Sequence, residues 1–128
     1  MGENLISILY VSSMCKYYTP AEIDIMVKSF QESNKKHNVS GMLVYSSGNI
    51  MQYIEGEKAT IDKLYDNIKK DRRHECIITL VNENIQSRIF EDWSLNYKMI
   101  DLAEYTNLLS EDNIVKIKIL NNFIRCNK

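Results

Sequence analysis

Two runs rich in strand formers, Ser40-Gly41-Met42-Leu43-Val44-Tyr45 and Asn49-Ile50-Met51-Gln52-Tyr53-Ile54-Glu55, are separated only by Ser46-Ser47-Gly48. So short a connection, made of turn residues and a glycine, closes an antiparallel hairpin. The fold must therefore hold a hairpin near its middle, and the flanking segments narrow the choice further. Leu5-Ile6-Ser7-Ile8-Leu9-Tyr10-Val11-Ser12 reads as a first strand. Thr19-Pro20-Ala21-Glu22 carries the residues of a helix start: Thr as N-cap, Pro in the first turn, and Glu placed to close a capping box. Ile23, Val27 and Phe30 then recur at helical spacing. After Gly56, Ile61, Leu64, Tyr65 and Ile68 mark a second helix that runs out near Asp71-Arg72-Arg73-His74. Ile77 to Val81 and Phe90 to Tyr97 are expected as a fourth and a fifth strand, and Asp101 to Leu109 and Asp112 to Ile124 as helices.

The order β-α-β-β-α-β, followed by a fifth strand and C-terminal helices, predicts an α+β, ferredoxin-like fold with an antiparallel sheet and two helices on one face. Right-handed crossovers place the first and third strands side by side at the sheet centre. The 128 residues contain no composition break or linker, so residues 1–100 are expected to form one domain on which residues 101–128 pack as a helical extension. In that extension Ile114, Ile117 and Ile124 are expected to cover the sheet face away from the first two helices, or to form a seam with a second copy of the chain.

Lysine and arginine number 16 against 17 acidic residues, interleaved along the chain, which argues against direct nucleic-acid binding. Three cysteines, Cys15, Cys76 and Cys126, have neither disulfide-framework nor zinc spacing, and no metal site is expected. With no signal peptide and no apolar run of membrane-spanning length, the chain is expected to be cytoplasmic, without a membrane partner.

Three polar residues stand where apolar ones are expected. Gln52 shares a strand face with Ile50 and Ile54, because alternate strand residues point the same way. Asn34 continues the stripe of Ile23, Val27 and Phe30, and Tyr10 lies near the end of the first strand. Each has a structural reading: a core tyrosine bonded to a carbonyl, an amide bridging strands, an asparagine capping a helix end. Together they converge between helices and sheet, where a planar ligand with alternating donors and acceptors fits.

The ordered set Leu9-Tyr10-Val11-Ser12, Asn34, Asn38-Val39-Ser40-Gly41-Met42-Leu43-Val44-Tyr45, Gln52-Tyr53-Ile54-Glu55-Gly56-Glu57, Asp71-Arg72-Arg73-His74 and Phe90-Glu91-Asp92-Trp93-Ser94 resembles the BLUF family of flavin-using blue-light sensors. The resemblance spans about residues 5–100 and implies a flavin ring held between the two helices. It matches Tyr10 to the photoactive tyrosine, Gln52 to the switching glutamine and Asn34 to the asparagine on the flavin's polar edge. Arg73 and His74 match a pair lying along the ring, and Trp93 the tryptophan of the fifth strand. Leu95 stands where the family usually has methionine and, with Trp93, is expected to modulate recovery and signalling. Phe30 stands where the family often has serine and is expected to contact the flavin by packing in place of a polar bond. The resemblance favours FAD, with FMN and riboflavin left open. It implies a sensor rather than an enzyme, acting on a downstream protein or a fused output domain. The alternatives are an acylphosphatase-like hydrolase, for which Ser13-Met14-Cys15-Lys16-Tyr17-Tyr18 lacks the glycine and arginine of an anion cradle, and a light-insensitive interaction module on the same fold.

Overall fold

The capping box forms as written in the sequence: Glu22 N–H donates to Thr19 Oγ1 at 3.1 Å, and Thr19 N–H to Glu22 Oε1 at 2.9 Å. The computed structural model describes residues 4–90 and 95–126, with the side chains of 124–126 left out. In chain order it contains β1 (Leu5–Met14), α1 (Pro20–Lys36), β2 (Ser40–Ser46), β3 (Asn49–Glu57), α2 (Lys58–Lys70), β4 (His74–Ile85), β5 (Leu95–Met99), α3 (Leu102–Ser110) and α4 (Asn113–Cys126). The hairpin between β2 and β3 turns on Ser47 and Gly48, both at positive φ (47° and 87°), the requirement of a tight two-residue turn.

The sheet order is β4-β1-β3-β2-β5, so β1 and β3 are central neighbours and run antiparallel. Alternation along the strands sorts the core into two layers. Ile6, Ile8 and Tyr10 of β1 and Ile54 of β3 face α2 with Ile61 and Tyr65, and Leu43 and Tyr45 of β2 face α1 with Ile23 and Val27. On the other face Leu9, Met42, Val44, Met51 and Tyr53 pack with Tyr105, Leu108 and Leu120 of α3 and α4. The α+β, ferredoxin-like frame thus carries helices on both sides.

Four expectations need correcting. The fourth strand is twelve residues long, His74–Ile85, not Ile77–Val81. As an edge strand beside the ten-residue β1, it can keep polar residues such as Glu75 and Glu83 on its solvent side. The fifth strand begins at Leu95 rather than Phe90, and it pairs with β2 in parallel, so the sheet is mixed. Phe90 does not join a ladder because its N–H is given to the Glu55 carboxylate at 2.8 Å, while its ring packs on Tyr53; residues 91–94, Trp93 among them, lie outside the described residues. Finally, α4 presents Ile117, Leu120 and Phe123 to the far face of the sheet, whereas Ile114 is 70% exposed. Asn113 Nδ2 on the Leu80 carbonyl and Asp112 accepting from Val115 N–H set that rotation. The side chain of Ile124 is outside the described set.

Gly41 is required by a close approach rather than by a turn. A Cβ there would sit 2.0 Å from the Tyr53 carbonyl oxygen on the neighbouring strand. Gly41→Ala is therefore expected to cost about 2–4 kcal/mol of folding stability, as overpacking against rigid backbone does. Denaturant unfolding checks this; a variant as stable as the parent would show that the strands separate without cost.

Candidate functional site

The antiparallel register sets Tyr10 opposite Gln52, with Thr79 of β4 beside Tyr10, Leu43 of β2 beside Gln52, and Tyr97 of β5 beside Leu43. One row of side chains thus crosses all five strands on the face that carries α1 and α2. In it the Tyr10 hydroxyl donates to Gln52 Oε1. Both residues are buried, at 3% and 6% exposure. Burial pushes the Tyr10 hydroxyl far above the usual tyrosine range, with the neighbouring Tyr65 and Asp71 adding to the shift. The phenol is held neutral, and the amide oxygen of Gln52 is already used.

Above this row, α1 and α2 enclose a cleft of about 780 Å³, its open mouth included. Met26 and Phe30 of α1, Leu64 and Ile68 of α2, and Leu43 and Ile50 of the sheet give it apolar walls, while Asn34, Gln52, Asn67 and Arg73 bring polar groups to them. Such walls with a few placed polar groups suit a flat, largely apolar ring with one polar edge. Asn34 reinforces the fit. It is 4% exposed, its backbone carbonyl accepts Val39 N–H at 2.8 Å, and its side-chain Nδ2 has no partner. A buried donor left unpaired costs about 1–3 kcal/mol, a cost that an acceptor inside the cleft would offset.

At the other end of the cleft, His74 is fixed through both ring nitrogens. Nε2 lies 2.6 Å from the Ile68 carbonyl, which can only accept, so Nε2 carries a hydrogen; Nδ1 is hydrogen-bonded to Ser12 Oγ at 2.8 Å. His74 therefore offers the cleft its ring and no free N–H. Arg73 is tied to Asp71, with Nε 3.0 Å from Oδ1, and its guanidinium stands 5.2 Å over the Phe30 ring centroid. That pairing holds the Asp71 carboxyl below its ordinary range.

The structure brings Tyr10, Phe30, Asn34, Gln52, Arg73 and His74 to one cleft. Leu95 stands apart. It is fully buried beneath α1, packed with Ile23, Val27 and Leu43, in register with Gly41 rather than with the Gln52 row, and its carbonyl accepts from Gln31 Nε2 at 2.8 Å. One residue of consequence stood in the sequence only as the last member of a strand-forming run. Glu55 is fully buried on the opposite sheet face, where its carboxylate accepts from Ser40 Oγ, Tyr53 OH and the N–H groups of Ile89 and Phe90, at 2.8–3.2 Å. Burial pushes its carboxyl up, and those four donors oppose the shift. An acid three residues after Gln52, on the face of Met51 and Tyr53, was the signal available.

A family model described as BLUF, sensors of blue-light using FAD, matches residues 5–96. Photoactivated adenylate cyclase subunit beta of Euglena longa is 33% identical over 102 residues, which cover 78% of this chain and 12% of that protein. The alpha subunit of Euglena gracilis is 40% identical over 68 residues, 53% of this chain and 7% of that one. The chain thus spans only a small part of the length of these relatives. Among solved structures, BlrB, a BLUF protein in its dark state, superposes with a TM-score of 0.79 at 25% identity over 98% of both chains. A bacterial light-regulated adenylyl cyclase does so with a TM-score of 0.70 at 29% identity, over 96% of this chain and 34% of that one.

Because the Tyr10 hydroxyl is raised, it stays protonated as pH climbs through the ordinary tyrosine value of about 10, and the stability that its burial contributes is lost only above that value. A spectrophotometric titration of Tyr10→Phe should therefore overlay that of the parent up to about pH 11. One tyrosinate fewer near pH 10 in the variant would contradict this.

Proposed function

The chain belongs to the BLUF family of blue-light sensors, and from that premise we propose that Tyr10 and Gln52 are its photoactive pair and that the α1–α2 cleft holds the flavin as FAD. The observation that carries this reading is the hydrogen bond from the Tyr10 hydroxyl to Gln52 Oε1 at the floor of that cleft. Asn34 would hold the polar edge of the ring through its unpartnered Nδ2, Phe30 and Ile68 would pack on its faces, and the pinned ring of His74 and the guanidinium of Arg73 would border it. A bound flavin supplies the absorption of blue light and an acceptor for one electron.

The remaining chemistry is that of the chain's own residues. Burial disfavours phenolate, so the Tyr10 proton does not leave ahead of an electron. Once Tyr10 has given up an electron its hydroxyl is strongly acidic, and the proton moves along the existing bond to Gln52. The glutamine amide carries a donor and an acceptor on one planar group, so rotation or tautomerisation exchanges them. With an electron and a proton both returned to Tyr10 the phenol would be restored, and Gln52 would present a different face to the cleft and to the phenol. Leucine at 52 cannot make that exchange, and glutamate carries no N–H to offer.

The strand that carries Gln52 also carries Glu55, whose carboxylate holds the backbone of residues 89 and 90. A shift in β3 would thus reach the segment leading into β5 and the core shared with α3 and α4, with Trp93 and Leu95 modulating it. Residues 101–128 would complete the same domain as residues 1–100. The receiver would be a downstream protein or a fused output domain, and any enzymatic activity would lie there: relatives include cyclase subunits, and this chain contributes the sensor. No helix among the described residues is long and apolar enough to cross a membrane.

The purified protein is expected to be yellow, with an absorption band that shifts reversibly to the red under blue light. Tyr10→Phe and Gln52→Leu should each keep the flavin and lose the shift. A colourless protein that takes up no added flavin would overturn the reading.

A further inference from the structure

A second tyrosine stands against Tyr10. Tyr65 of α2 is 6% exposed, and its ring centroid lies 5.5 Å from that of Tyr10 with the planes tilted by 45°. Its hydroxyl is hydrogen-bonded to Thr79 Oγ1. Thr79 is the residue that sits beside Tyr10 on β4, so Tyr65 reaches over the Tyr10 ring and anchors on the next strand. The β1–β4 register shifts between Leu9 and Tyr10, which means that the ladder changes step where the phenol needs its direction set. Tyr10 also neighbours the His74 ring, at 6.4 Å between centroids with the planes at 67°, and that ring is pinned by Ser12 and Ile68.

From this geometry we infer that Tyr65, tethered through Thr79, is a positioning residue for Tyr10: it forms the fixed wall that aims the Tyr10 hydroxyl at Gln52 Oε1. The inference rests on the reading of Tyr10 as the photoactive residue. Tyr65 is a better candidate for this role than for mere core filling. An apolar side chain would occupy the same volume, but it could not be tied to the strand residue that flanks Tyr10. The tether also joins α2, which lines the cleft through Leu64 and Ile68, to the strand edge beside the phenol. Electron loss from Tyr10 is coupled to proton movement along one hydrogen bond, so its yield depends on how often the phenol is held in that bond.

The test uses the flavin-loaded protein and reads the flavin fluorescence decay and the quantum yield of red-shift formation, with the melting temperature as a control for folding. Tyr65→Leu should lengthen the decay and lower the quantum yield several-fold while flavin remains bound. Tyr65→Phe and Thr79→Val both break the single tether and keep the packing. Each should lower the yield by a smaller factor, and the double variant should be no worse than either single one. These two variants decide the matter if Tyr65→Leu does not fold. Parent-like yield in all of them, or single effects that multiply in the double variant, would overturn the role of the tether. Tyr10→Phe separates the two readings: if it still photoconverts, the assignment of Tyr10 fails; if it is silent while the Tyr65 and Thr79 variants match the parent, only the present inference fails.

Discussion

The hydrogen bond between Tyr10 and Gln52 is the interaction on which the arrangement turns. It joins two buried neutral groups, so either partner alone would be left unsatisfied at a cost of about 1–3 kcal/mol. It exists only because β1 and β3 are adjacent, antiparallel and in one register, and that arrangement depends on the tight turn at Ser47-Gly48 and on the connections through α1 and α2. A slip by one residue would send Gln52 to the face of α3 and α4 and remove the amide from the cleft altogether.

The same strand serves both sides of the sheet. Gln52 points into the α1–α2 layer, and Glu55, three residues on, points into the layer of α3 and α4. Its buried carboxylate is saturated by a serine, a tyrosine and two backbone N–H groups from residues 89 and 90. Arg88 adds bonds to Ser40 Oγ and to the Glu55 carbonyl. The connection from β4 to β5 is thereby fastened to the strand that bears Gln52, so in the proposed mechanism a change at that amide would have a short route out of the cleft through β3 and Glu55.

Much of this was legible in the sequence because local signals and long-range order agreed. The capping box at Thr19-Glu22, the hairpin turn and the alternation in β1 and β3 each dictate local geometry, and with the β-α-β order they set β1 beside β3 at the sheet centre. The residues of the cleft were legible as polar exceptions on apolar faces: Gln52 between Ile50 and Ile54, and Asn34 at the end of a helical stripe. What escaped was set by tertiary context. The length of β4 depends on the edge it lies against, the parallel pairing of β5 on where the chain is carried after Glu55, and the rotation of α4 on single contacts of Asp112 and Asn113. Glu55 and Tyr65 were hidden for a similar reason. An acid near a strand end and an aromatic in a helical stripe are ordinary in sequence, and only their partners, residues 89 and 90 for one and Thr79 for the other, give them meaning.

The central claim is that light changes the bonding of one glutamine amide while the fold stays in place. Its most direct measurement is a light-minus-dark infrared difference spectrum of the flavin-loaded protein carrying side-chain 15N-labelled glutamine. Gln31→Glu and Gln86→Glu variants then remove the other two labelled side chains. The account predicts isotope-sensitive amide bands that persist in both variants and so belong to Gln52. A difference spectrum without any label-sensitive band, in a protein that still shifts to the red, would contradict it.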